Sequence, residues 1–220
     1  GGPLDGRLDA SIDAPIDGAI DTIDAPPVLA FCNAADPTLR GCYRFENNLD
    51  DGSMYSNGGT GTASYTNVNG NIGRALDASG SSVTIPFDSS LSTAQFTLKM
   101  WIRPSSVPSG ASSRMGLIDN NKWRMFVQMG GRIRCAINDG TVEVVSSATV
   151  PVNTWTRVTC SYGAGALKVF FDGVQRGSTS SGNGLDGLST GTTIGRQEPS
   201  GDPFDGLIDD VQIFSAVVAP

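Results

Sequence analysis

Twenty-two carboxylates and not one histidine set the chemistry open to this chain. Enzymes that cut a glycosidic bond hold two carboxyl groups about 5 Å apart, or about 6.5–9.5 Å apart, across that bond. A strand supplies such a pair at i and i+2 or i+4, on one face. The glutamates are Glu46, Glu143 and Glu198, and none belongs to an acidic cluster with that spacing. Asp209 and Asp210 are adjacent, so an unbroken strand sends their side chains to opposite faces. Without imidazole the Ser–His and Cys–His nucleophile systems are absent. The chain is expected to be a non-enzyme.

Cysteine is the other reactive type, at Cys32, Cys42, Cys135 and Cys160, with no CxxC pair to suggest zinc. Ile133, Cys135 and Ile137 alternate with polar neighbours, as do Val158, Cys160 and Tyr162, so both later thiols point to the core side of their strands. Facing residues on neighbouring strands lie within disulfide range, and Cys32 and Cys42 can close a short loop. Bridges 32–42 and 135–160 are expected, which implies an oxidising, extracytoplasmic home; free thiols in a cytosolic protein are the alternative.

Before any of these residues comes a repeat. Leu4, Leu8, Ile12, Ile16 and Ile20 alternate with aspartates through residues 4–20, so an extended chain sends its apolar side chains to one face and its carboxylates to the other. A helix fails here: aspartates four apart repel, and Pro15 breaks it. This arm (1–27) is either an assembly strand with one apolar face or a disordered spacer. The net charge of −7 is concentrated in it, six aspartates standing against Arg7. Nothing in the balance suggests nucleic acid, and no run reaches the roughly 18 apolar residues of a membrane span.

After a connector (28–39), residues 40–220 read as short strands separated by Gly, Asn, Ser and Asp turns. Arg40 to Glu46 alternates Tyr43 and Phe45 with polar partners. Residues 95–104 place Phe96, Leu98, Met100 and Ile102 on one face and Thr97, Lys99, Trp101 and Arg103 on the other. Residues 122–129 turn Trp123, Met125, Val127 and Met129 inward. Residues 166–172 end in Asp172-Gly173, the turn a two-residue hairpin requires. The pattern predicts an all-β, two-sheet sandwich.

Four ordered segments carry a resemblance: Lys99-Met100-Trp101-Ile102-Arg103-Pro104, Asn153-Thr154-Trp155-Thr156-Arg157-Val158, Val169-Phe170-Phe171-Asp172-Gly173-Val174, and Phe204 through Phe214. In order and spacing they resemble the signature strands of the laminin-G-like, concanavalin A-like jelly-roll family. Cys42-Tyr43-Arg44-Phe45-Glu46 and Leu76-Asp77 are similar to its opening strands in secreted bacterial proteins with Asp-rich leaders. The resemblance implies an antiparallel jelly roll whose last strand pairs with its first.

Asp209 shares its sequence parity with Leu207, Val211 and Ile213, and so is expected to point inward, where an unpaired charge is costly. With the first strand beside it, Arg44 neutralises it, or Glu46 joins it around a structural Ca2+ ion. Sugar-binding modules need an exposed aromatic platform, and Trp101 between Lys99 and Arg103 is the candidate, unless a crossing loop covers it as it can also cover Phe170. Residues 177–193 and 196–203 read as rim loops. The expected role is an extracellular, bacterial cell-surface structural or adhesive protein. It is a homopolymer formed by strand addition from the arm, or a carbohydrate- or protein-binding module on a flexible spacer.

Overall fold

A computed structural model describes residues 31–68, 73–182, 184–187, 190–198 and 201–220. The arm, with Leu4, Leu8, Ile12, Ile16 and Ile20, lies outside the described residues. Fourteen strands follow in chain order: β1 (Leu39–Tyr43), β2 (Tyr65–Asn67), β3 (Arg74–Asp77), β4 (Val83–Ile85), β5 (Phe96–Pro104), β6 (Arg114–Asp119), β7 (Trp123–Gln128), β8 (Arg132–Ile137), β9 (Val142–Thr149), β10 (Thr156–Gly163), β11 (Ala166–Phe171), β12 (Val174–Ser180), β13 (Thr192–Ile194) and β14 (Gly206–Phe214). The stretch expected as one rim loop over 177–193 instead gives its ends to β12 and β13.

The strands form an eight-stranded sheet ordered β12-β11-β10-β5-β14-β3-β2, with β1 also on β14, and a six-stranded sheet ordered β4-β13-β6-β7-β8-β9. All pairs are antiparallel. Alternation decides what lies between the sheets. Phe96, Leu98, Met100 and Ile102 of β5 are fully buried with Trp123, Met125 and Val127 of β7 in one core. Phe96 and Trp123 meet across the sandwich with ring centroids 6.0 Å apart. Each such side chain contributes about 1.5–3 kcal/mol of burial. Asp172 (φ 48°) and Gly173 (φ 82°) make the expected hairpin turn between β11 and β12.

Two of the four cysteines behave as expected. Cys32 and Cys42 are bridged, with Cα atoms 5.7 Å apart, and the side-chain amide of Gln212 donates to the Phe31 carbonyl at 2.8 Å. The 135–160 bridge is corrected: both are buried free thiols. The expectation placed them on neighbouring strands, whereas β8 and β10 belong to opposite sheets, and the thiols face each other through the core. There Cys160 makes a hydrogen bond with Cys135, and burial foremost pushes its pKa well above the ordinary thiol value.

The outer edge of β1 is occupied. Cys42 N–H donates to the Asp51 carboxylate (2.8 Å), Gly52 N–H to the Cys42 carbonyl (2.8 Å), and the Asn57 side chain to the Arg40 carbonyl (2.9 Å). At the far edge of the larger sheet, the β11–β12 register shifts between Val169 and Phe170, and Ser147 Oγ donates to the Arg176 carbonyl.

Candidate binding site on the outer face of the larger sheet

The last strand changes parity halfway along. Ile208 lies opposite Ile102 and Asp209 opposite Trp101, but Gln212 lies opposite Lys99, so β14 spends one residue more than β5 over this interval. The extra residue is a β-bulge, and Asp210 takes a left-handed backbone (φ 50°) within it. Ile208, Val211 and Ile213 therefore face the core, while Leu207, Asp209 and Gln212 face outward. This corrects the expectation that Asp209 points inward with Leu207 and Val211.

The bulge sits at a seam. β3 pairs with β14 at Leu207 and Ile208, and β1 pairs with the same strand from Val211 onward. Arg44 and Glu46, just past β1, meet Asp209 and Asp210 there. Arg44 Nε lies 3.4 Å from Asp210 Oδ1, so the expected ion pair forms with Asp210 and not with Asp209. Asp209 instead accepts the Asp210 backbone N–H at 2.9 Å. Burial foremost, then the Asp210 charge, raises the Asp209 pKa to about 7; Glu46 adds to this, and Arg44 works against it. The Asp210 charge thus reaches Asp209 within the bulge.

Glu46, beside them, has a backbone partner of its own. Its carboxylate accepts the Arg74 N–H at 3.0 Å, in a space that a Cβ on Gly73 would fill. Gly73 has φ 128°, which favours glycine for a second reason. Among the described residues no three His, Cys, Asp or Glu side chains are grouped closely enough to hold a metal. The residues expected for Ca2+, Glu46 and Asp209, are thus neighbours at the seam, each with a backbone N–H partner.

On the outer face of β5, Lys99, Trp101 and Arg103 are all half-buried and line up as predicted. Trp101 has Arg157 of β10 opposite it on one side and Asp209 of β14 on the other. Lys99 places its ammonium 5.4 Å from the Phe214 ring centroid, and burial first, then the like charge of Arg157, lowers its pKa. The last residues cross part of this face: Thr97 Oγ1 donates to the Ala216 carbonyl, and Arg157 Nη2 to the Pro220 carbonyl at 3.2 Å. Trp101 is half-buried, and Phe170 opposite Thr159 is also only half-buried.

Toward the other end of β5 the face opens into a shallow pocket of about 190 Å³, lined by Asn67, Val68, Arg103, Trp155 and Leu207. Arg103 is fixed from behind by its Nε donating to the Asn153 carbonyl at 3.1 Å. Trp101, two residues away on the same face, adjoins it. Trp155 and Asn67 were not singled out from the sequence. Trp155 was readable as one of the signature residues, but Asn67 comes from a three-residue strand with no pattern of its own.

The outer face of the six-stranded sheet differs. Phe126 is fully buried beneath guanidiniums, with Arg114 at 4.8 Å and Arg124 and Arg134 each at 5.9 Å from its ring. Every one of them has a carboxylate: Arg114 with Asp202 (2.6 Å), Arg124 with Asp119 (3.2 Å) and Asp139 (2.7 Å), and Arg134 with Glu143. The turn through Arg196 and Gln197 packs on Gly116, where a Cβ would overlap its backbone.

Two antiparallel sheets with this strand order define a lectin-like jelly roll. A model of the concanavalin A-like lectin/glucanases superfamily, laminin G type, matches residues 77–220, and the chain belongs to that family. Among solved structures the chain is similar to domain 4 of AbnA, a GH43 extracellular arabinanase from Geobacillus stearothermophilus, in complex with arabinotriose. The identity is 22%, covering 80% of this chain and 92% of that one, with a TM-score of 0.65. It is also similar to the binding domain of Paraclostridial Mosquitocidal Protein 1 (14% identity, 86% and 50% covered, TM-score 0.68). A third is the botulinum neurotoxin serotype D ligand-binding domain in complex with N-acetylneuraminic acid (16%, 86% and 50%, TM-score 0.62). The chain spans about half the length of the two toxin domains. No curated protein matches it.

Proposed function

We propose that the chain is a non-catalytic, extracellular carbohydrate-binding module, and that the pocket at Arg103 and Trp155, extended by Trp101, takes the sugar. One observation carries this reading. A single concavity joins an indole, a guanidinium and a side-chain amide, the groups that stack on a sugar ring and bond its hydroxyls. Its size suits one or two sugar units better than a flat protein interface. The bridged Cys32 and Cys42 fit an oxidising compartment. Structures of the same fold determined with arabinotriose and N-acetylneuraminic acid support a sugar as ligand. Each carboxylate at the seam already has a partner, Glu46 the Arg74 N–H, Asp209 the Asp210 N–H and Asp210 the Arg44 guanidinium, which supports a role other than bond cleavage.

A glycan array probed with the whole chain tests this. Trp155→Ala and Trp101→Ala are expected to weaken the captured glycan about 10-fold with the melting temperature preserved; unchanged binding in both overturns the assignment of the pocket. The filament reading keeps one supporting observation, the alternation over residues 4–20. Against it, the outer edge of β1 is already filled by Asp51, Gly52 and Asn57, which leaves no ladder there for an added strand. Negative-stain microscopy with and without residues 1–27 decides it.

A further inference from the structure

We infer that the ligand of this face is an anionic glycan, a sugar chain carrying carboxylate or sulfate groups; the inference rests on the carbohydrate-binding reading above and narrows it. The register puts Arg157 directly across from Trp101, with Lys99 and Arg103 two residues to either side of it on the same strand face. Three cations therefore surround one indole. Among the described residues, none of the three takes part in an ion pair. Their partners are the Asn153 carbonyl for Arg103, the Pro220 backbone oxygen for Arg157 and the Phe214 ring for Lys99, none of them a side-chain carboxylate.

The contrast with the other sheet makes this informative. There the same chain gives Arg114, Arg124 and Arg134 a carboxylate each. Most of the net charge of −7 belongs to the arm, and residues 28–220 hold 16 carboxylates against 14 cations, so partners for this row are not lacking. Burial first, and the like charge of Arg157 second, lower the Lys99 pKa, so holding these cations together costs stability. The carboxylates that do lie near are held by other groups or are weakly charged, Asp172 among them accepting the backbone N–H of Arg157 at 3.0 Å. Asp77 accepts the Ser79 N–H, and Asp205 accepts the hydroxyls of Ser79 and Ser106. Asp209, with a pKa of about 7, is only partly ionised at neutral pH. Arg103 spends its Nε on Asn153 and presents the rest of its fork to the pocket, the geometry suited to a carboxylate or sulfate.

The test is calorimetric titration of the whole chain with three trisaccharide-sized probes: a carboxylated one (trigalacturonate), a sulfated one (a heparin-derived oligosaccharide) and a neutral one (galactotriose). At least one anionic probe is expected to bind 10-fold or more tightly than the neutral one, and to lose that preference between 50 and 500 mM NaCl; which one does so separates carboxylate from sulfate recognition. Lys99→Gln is expected to weaken the anionic probe 5- to 10-fold and leave neutral binding unchanged, while Arg103→Gln is expected to weaken both probes, the anionic one by the larger factor. Arg132→Gln, exposed on the other sheet, should change neither. Equal or tighter binding of the neutral probe overturns the inference while the carbohydrate-binding reading stands. Failure of every oligosaccharide to bind removes both.

Discussion

Asp209 lies opposite Trp101 across the β5–β14 ladder, one residue before the bulge that reverses which side of the strand faces the core. A carboxyl group that simple alternation assigns to the interior is thereby delivered to the outer face, beside the candidate aromatic platform. Its partial burial there has consequences for stability.

The Asp209 pKa stands at about 7 in the folded protein against 3.8 for an ordinary aspartate. Between those values the folded state holds a proton that the unfolded state has released. Stability from this group therefore falls as pH rises from about 4 to about 7 and is level above. Asp209→Asn keeps an oxygen for the Asp210 N–H and removes the charge. It is expected to raise stability at pH 8 by on the order of 1–2 kcal/mol, allowing for solvent screening, and to leave it unchanged at pH 4. Urea midpoints at the two pH values check this; an equal effect at both denies the raised pKa.

Calcium is expected to have no effect on melting. Arg44 stands among Glu46, Asp209 and Asp210, and each of the residues expected to bind the ion already holds a backbone N–H. Melts in EDTA and in millimolar calcium should coincide. A calcium-dependent rise of several degrees, lost in Glu46→Gln, would restore the metal.

Gly73→Ala is expected to cost about 2–3 kcal/mol, since it combines a backbone conformation unsuited to alanine with a side chain placed on the Glu46 carboxylate. Adding Glu46→Ala to it should recover part of the loss, because only the steric share is relieved. Chemical denaturation of the single and double variants gives the coupling directly.

Native protein is expected to resist alkylation, and denatured, unreduced protein to take up two labels, on Cys135 and Cys160. Uptake of none would mean that those two are bridged after all. Reduction should then release Cys32 and Cys42, with a loss of about 2–3 kcal/mol from opening their short loop.

The strands that were legible alternate apolar and polar residues in sequence, as β5 does from Phe96 to Ile102. Alternation carries no information about an inserted residue, so the parity of β14 beyond Asp209 was misread and Asp209 with it. Nor does it assign strands to sheets. Cys135 and Cys160 were correctly turned inward, but inward from opposite sides. Lys99, Trp101 and Arg103 were legible as one outward row; the pocket that gives the row a shape needs Asn67 and Trp155, brought from 36 and 52 residues away by pairing that no local pattern specifies. The Arg-covered Phe126 was invisible, for an outward phenylalanine in an inward-alternating strand is ordinarily just surface.

The unequal treatment of arginine on the two sheets gives the molecule an electrical front and back. Around Phe126 the arginines are neutralised by carboxylates of their own, while the row on the other sheet sets three cations around an indole. Near a negatively charged surface such a body experiences a torque, so it arrives already rotated with its indole side leading, and dissolved salt would slow its capture more than it would loosen its grip.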